Sequence, residues 1–304
     1  MIRRLLSASL LVVISAAGSI AHSQMMRPQD VDKLPSTPAD KRISYGTDAL
    51  QFGDLRLPKS QGPHPVAIVI HGGCYLARFA DLQSTAALSS ALTGAGIATW
   101  NVEYRRVDNP GGGWPGTFQD ISLGVDYLRT LAKTYPLDLN RVVIVGHSAG
   151  GHLALWAAGR ARLQKGSTLH TADPLRVQGA INLAGPGNLR SVFPIQKDVC
   201  GSTPITALFG GSPEEVPDRY KIASPAEMLP LNVEQVLITG ERDRAVPPKY
   251  GQEYEREARQ SGDKVKMIVV ENAGHFEVIA PGTPAWTVVE NAIKSLLRMT
   301  PQQK

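Results

Sequence analysis

The most constraining feature of the sequence is the pentapeptide GHSAG at 146–150, because of what flanks it. Four apolar, β-branched residues, VVIV, precede it, and the helix-forming run HLALWAAG follows Gly151. A G-x-S-x-G turn between a buried strand and a helix lifts its serine clear of a sheet. The helix then points its N-terminus at negative charge developing nearby. Gly146 and Gly150 relieve crowding where side chains would clash in so sharp a turn. Ser148 is therefore the candidate nucleophile. The alternative is a plain strand-to-helix turn with an exposed serine.

The rest of the chain is patterned to suit such a strand. Short apolar runs at 66–70, 97–102, 177–183, 236–239 and 265–270 predict further strands. Amphipathic stretches at 82–93, 118–132, 152–162 and 250–259 predict helices between them. A last helix carries Trp286, Val289, Ile293 and Leu296 on one face. Strands alternating with helices imply a mainly parallel sheet covered on both faces. Segments 43–47 and 50–57 read as an antiparallel pair ahead of it. The stretch 186–235 breaks the alternation, is rich in Pro and Gly, and reads as an excursion over one end of the sheet. Residues 24–42 read as a flexible lead-in and 43–300 as one domain.

A serine hydroxyl needs a base, and the base needs an orienting acid. On this kind of scaffold they follow in the order acid, then histidine, in loops at the strands' C-terminal edge. The strand at 236–239 runs into GERDRAVP, which offers Asp243 and, nearer the strand end, the rival Glu241. The strand at 265–270 runs into ENAGHFEV, which places His275 32 residues after Asp243. That interval holds one helix and one strand, as the alternation requires. Donors for an oxyanion are expected from the Ala149 amide and from the loop HGGCY after the 66–70 strand. There Gly72 and Gly73 let the backbone of Gly72, Gly73 and Cys74 turn its amides toward a substrate oxygen.

Other features have milder readings. His147 must point away from Ser148 and is expected to pack or hydrogen-bond beside the turn. His152 reads as a buried polar contact, and His64 and His170 as loop residues. Absence of HExxH and of clustered His, Cys and Asp argues against a catalytic metal, and no cofactor motif is present. NPGGGWPG at 109–116 lacks the Lys-Ser/Thr of a phosphate loop and reads as a surface loop whose Trp114 covers the site edge. Arg105 and Arg106 are expected in salt bridges to Asp120 or Asp108. Tyr75, Phe79, Trp114, Phe193 and Phe276 are candidates for an acyl or aryl pocket. Cys74 and Cys200 fall in loops expected at the same sheet edge, so a disulfide between them is plausible in an exported chain.

Together these motifs resemble the α/β-hydrolase superfamily. More narrowly, they look like the HGGxW esterases related to hormone-sensitive lipase, to kynurenine formamidase and to the catalytic domain of prolyl oligopeptidase-type peptidases. The resemblance covers about residues 43–298 and rests on HGGCY, NVEYRR, GHSAGGHLAL, GERDRAVP and AGHFEV. It implies a mostly parallel eight-stranded sheet with helices on both faces and a minimal cap. It also implies the triad Ser148, Asp243 and His275 with an oxyanion hole from Gly72, Gly73, Cys74 and Ala149. Tyr75 departs from the tryptophan of the pattern, which leaves substrate preference open. The expected activity is ester hydrolysis on small to medium molecules. The alternatives are amide or peptide hydrolysis and a non-catalytic binding protein of the same fold.

The N-terminus reads as an address. Arg3 and Arg4 precede an apolar run of about 13 residues, short of the ~20 that span a bilayer. Ala21 and Ser23 supply small residues before a cut ahead of Gln24, so 1–23 read as a signal peptide of an exported chain without a membrane span. Two of the five net positive charges lie in that leader, and the rest are scattered. So dispersed an excess is no footprint for nucleic acid. At 42 % hydrophobic and 19 % charged, the composition is that of an ordinary globular chain rather than a disordered one. A small-molecule partner remains, with oligomeric state open.

Overall fold

A computed structural model of the chain describes residues 25–299. The predicted signal peptide lies outside the described residues. Eight strands form one sheet: β1 (Lys41–Ser44), β2 (Phe52–Arg56), β3 (His64–Ile70), β4 (Ala98–Val102), β5 (Leu137–His147), β6 (Gly179–Leu183), β7 (Glu234–Gly240) and β8 (Val265–Val270). Their order is β1-β2-β4-β3-β5-β6-β7-β8. β1 and β2 pair antiparallel, as does β2 with β4, and every later pairing is parallel.

The helices are α1 (Pro28–Asp32), α2 (Ala86–Gly94), α3 (Gly116–Asp126), α4 (Leu128–Leu131), α5 (Ala149–Gly159), α6 (Leu189–Val192), α7 (Gln196–Cys200), α8 (Pro204–Phe209), α9 (Pro217–Ala223), α10 (Pro248–Gln260) and α11 (Pro284–Leu296). The run of β3 shows how the layers arise. Val66, Ile68 and Ile70 face one core with Phe118 of α3, Leu153 of α5 and Tyr254 of α10. Ala67 and Val69 face a second core with Leu88 of α2 and Val289 and Ile293 of α11. Alternate side chains of one strand thus feed two cores, which is why the strand reads as continuously apolar.

The excursion after β6 holds the short helices α6 to α9. Helix 118–132 was expected as one piece and is divided at Tyr127. The lead-in is corrected more substantially. Residues 24–42 were expected to be a flexible lead-in, but α1 packs on the body with Val31 buried in the core that also holds Leu88 and Leu92. A single apolar residue in a polar, Pro-containing stretch gave too weak a periodic signal to predict that docking. No helix among the described residues is long and apolar enough to cross a membrane.

Candidate active site

The site is assembled at the C-terminal edge of the parallel strands. Ser148 links β5 to α5 with φ 52° and ψ −120°, the left-handed strained conformation expected of an elbow. Gly150 is required for it, since a Cβ there would stand 2.3 Å from the carbonyl oxygen of Ile70. The loop after β7 carries Asp243, and the loop after β8 carries His275. The His275 Nδ1–H donates to Asp243 Oδ2 at 2.7 Å. Asp243 Oδ1 accepts from the amides of Ala245 and Val246, each at 2.8 Å. Its side chain is fully buried. The rival Glu241 turns outward and accepts from the amide of Asn272 at 3.1 Å. Ser148 and His275 line one cavity of about 250 Å³ together with Gly72, Gly73 and Cys74.

The loop after β3 has an unusual backbone. Gly73, Cys74 and Tyr75 have φ values of 100°, 52° and 58° in succession. Two consecutive non-glycine residues in this region cost on the order of 1–3 kcal/mol each, so the surroundings must hold them. Cys74 is bonded to Cys200 of α7 as a disulfide. The Tyr75 hydroxyl donates to His152 Nδ1 at 2.8 Å, and His152 Nε2–H donates to the Ala223 carbonyl at 2.8 Å. The Val107 amide donates to the Tyr75 carbonyl at 2.9 Å. So constrained, the amides of Gly73 and Cys74 find no protein acceptor among the described residues. The Ala149 amide opens α5, where helix geometry supplies no acceptor. These are donors available to a developing oxyanion. Gly72 allows the loop to lie against the elbow, because a Cβ there would meet the His147 carbonyl oxygen at 2.8 Å.

Beneath this loop lies a buried ionic layer. Both ring nitrogens of His71 face acceptors, the Gly72 carbonyl at 2.9 Å and Glu103 Oε1 at 3.0 Å. Arg106 reaches Glu103 at 2.8 Å, so it pairs with Glu103 and not with Asp108. Arg105 grips Asp120 at 2.6 Å, as expected. Burial alone would push the Glu103 carboxyl up, but His71, Arg106 and the Tyr104 amide draw it down to about 2.

Two buried histidines brace the site and stay neutral. His147 Nε2–H donates to the His275 carbonyl at 2.9 Å, which holds the loop that carries His275 against the elbow. Burial, with the nearby His275, lowers His147 to about 3, and burial lowers His152 to about 4. The unfolded chain protonates these rings near pH 6.5, whereas the native chain does so only far below. Unfolding therefore takes up protons in this range, and stability falls as pH drops from 6.5 toward 4. The expected slope approaches about 1.4 kcal/mol per pH unit for each ring. Urea unfolding across that range should show midpoints falling with acidification at constant m. A flat profile would mean that the rings are accessible to protons in the native state.

Two pocket candidates are corrected. Trp114 stacks on Phe209 with centroids 6.3 Å apart and lies under Arg219, away from both cavities that contain Ser148. Phe193 packs on the main core. The smaller cavity is lined instead by Val192, Ile195, Gln196 and Val199, one face of the excursion at helical spacing, and Phe193 falls off that face. Tyr75 lines the smaller cavity, while Phe79 and Phe276 line the larger.

Several contributors were not singled out from the sequence. Glu277, buried two residues past His275, accepts from the Gly274 amide at 2.9 Å and from the Met26 amide at 2.6 Å. Pro28, Val31 and Asp32 wall the larger cavity. The only local signal was the nearness of Glu277 to His275, and nothing local marked α1. Among the described residues no cluster of His, Cys, Asp and Glu could hold a metal ion.

The BD-FAE family model matches residues 54–257. Esterase LipC of Mycobacterium tuberculosis is 26 % identical over 249 residues, covering 77 % of this chain and 59 % of that protein. A probable isoprenylcysteine alpha-carbonyl methylesterase of Oryza sativa subsp. japonica is 22 % identical, covering 78 % of this chain and 58 % of that protein. The chain thus spans somewhat over half the length of these curated relatives. Among solved structures, a truncated carbohydrate esterase from gut microbiota superposes with TM-score 0.72 at 24 % identity, covering 86 % of this chain and 99 % of that one. Esterase B from Lactobacillus Rhamnosis gives TM-score 0.73 at 18 % identity, covering 87 % and 89 %. The architecture is the α/β-hydrolase fold.

Proposed function

The chain belongs to the BD-FAE family, and from its site geometry we propose that it is an exported serine hydrolase cleaving carboxylic esters of small to medium size. The observation that carries this is the short bond from His275 to a fully buried Asp243, with the His275 side chain lining the same cavity as Ser148. With Nδ1–H committed to Asp243, the free Nε2 of His275 accepts the hydroxyl proton of Ser148 as its oxygen attacks the ester carbonyl. The carbonyl oxygen becomes an oxyanion facing the amides of Ala149, Gly73 and Cys74. The C–O bond to the alcohol then breaks, and the proton on Nε2 passes to the departing oxygen. Water, deprotonated by the same Nε2, attacks the acyl-enzyme, and the acid leaves as Ser148 recovers its proton. Export is supported by the leader pattern and by a disulfide, which persists in oxidising compartments.

The test is a panel of p-nitrophenyl esters from acetate to octanoate, alongside aminoacyl p-nitroanilides, with Ser148→Ala as the blank. Ester turnover with silent anilides, and a fluorophosphonate label recovered on Ser148, is the expected result. Strong anilide turnover would transfer the assignment to an amidase or peptidase. Absence of both turnover and label would leave a hydrolase-fold binding protein.

A further inference from the structure

Two cavities meet at Ser148, and they differ in size and in chemistry. The larger, of about 250 Å³, contains the base His275. The smaller, of about 50 Å³, contains Ala149 and apolar residues such as Val192, Ile195 and Ile205, but not His275. Ser148, Cys74, Val199 and Ala245 border both. The proton on His275 must reach the oxygen of the departing alcohol, so the alcohol lies on the side of the base. The acyl substituent, on the same carbonyl carbon, lies on the opposite side. The smaller space has room for about four water-sized groups. The larger is bordered by Phe79, 47 % exposed, and by the apolar side chains of Phe276 and Ile279.

We propose that α1, at Pro28–Asp32, is the specificity-determining wall of the alcohol side, so that this site selects short-acyl esters of bulky, largely apolar alcohols. The inference rests on the serine hydrolase reading above. Pro28, Val31 and Asp32 border the larger cavity and do not touch the smaller. The wall is anchored twice. Val31 is buried in the core at 3 % exposure, and Glu277 binds the Met26 amide with one oxygen and the Gly274 amide with the other. One carboxylate therefore ties the wall to the loop that carries His275. The segment lies outside the residues matched by the family model.

The experiment uses two substrate series on the full chain: methyl, p-nitrophenyl and 2-naphthyl acetates, and p-nitrophenyl esters from acetate to octanoate. Pro28→Trp, at an exposed position, narrows the larger cavity. It is expected to lower kcat/KM for 2-naphthyl acetate relative to methyl acetate by about 10-fold or more, with the acyl ranking unchanged. Ile195→Ala opens the smaller cavity and is expected to raise the octanoate-to-acetate ratio by a similar factor, with the alcohol ranking unchanged. Circular dichroism checks that both variants fold. Effects that exchange series, or folded variants that leave both rankings as in the parent, overturn the division between acyl and alcohol sides. A parent chain that turns over neither series and takes no fluorophosphonate label sinks the hydrolase reading and this proposal with it.

Discussion

Asp243→Asn is expected to lower kcat by about 10⁴-fold while leaving thermal stability nearly unchanged. The direction follows from which oxygen does what. Oδ1 accepts from the amides of Ala245 and Val246, and Oδ2 accepts from His275. An asparagine keeps its carbonyl oxygen on the two amides, because only an oxygen can accept from them. Its NH₂ group is then aimed at His275 Nδ1. That nitrogen must accept, which moves the ring proton to Nε2 and removes the lone pair that would take the Ser148 proton. The fold is preserved because the substitution is isosteric and both backbone bonds survive. KM should change little, since Asp243 does not line either cavity at Ser148. Glu241→Gln is the control and should keep near-parental kcat. If Asp243→Asn lost less than 10-fold, or Glu241→Gln lost more, Asp243 would not be the orienting acid.

Removing the disulfide as Cys74→Ser with Cys200→Ser is expected to reduce both stability and kcat. The bond closes a loop with a sequence separation of 126. Chain-entropy reasoning assigns a loop of that length about 4–5 kcal/mol, and measured losses for native disulfides run about 2–5 kcal/mol. The loss of activity has a separate cause. Cys74 sits between two other residues with positive φ, and the disulfide is one of the constraints that keep it there. Once freed, this backbone can relax toward ordinary φ values and carry the Gly73 and Cys74 amides out of line. Loss of one oxyanion donor costs about 10²–10³ in kcat, so a fall of that order is expected, larger in kcat than in KM. The double variant assayed well below its melting temperature separates the two effects. A stability loss with parental kcat would show that Tyr75, through His152 and Ala223, suffices to hold the loop.

The fold was legible because its signals are local. Continuous apolar runs such as 66–70 and 142–145 report strands buried on both faces, and the spacing of Val289, Ile293 and Leu296 reports a one-sided helix. The elbow was legible for the same reason: its strand, turn and helix are contiguous, and the strain at Ser148 is a property of three adjacent backbone units. That His275 and Asp243 would come together at one sheet edge was legible because chain order in an alternating sheet dictates which loops share an edge.

What lay beyond the sequence depends on direction and on distance. Asp243 and Glu241 are two residues apart in one loop, and only the way that loop packs turns one carboxylate inward and the other to solvent. Phe193 and Trp114 are the right kinds of residue for a pocket, yet helical phase turns the first into the core and stacking on Phe209 carries the second away. The wall of Pro28–Asp32 is held by Glu277, 251 residues from the Met26 amide it binds. The sequence by itself determined the strands, the strained turn and the order in which Ser148, Asp243 and His275 follow them, because backbone preferences are set within a few residues. The tertiary structure alone decided which carboxylate faces His275 and which residues wall the cavities at Ser148. Those outcomes depend on packing among side chains that are neighbours in space and remote along the chain.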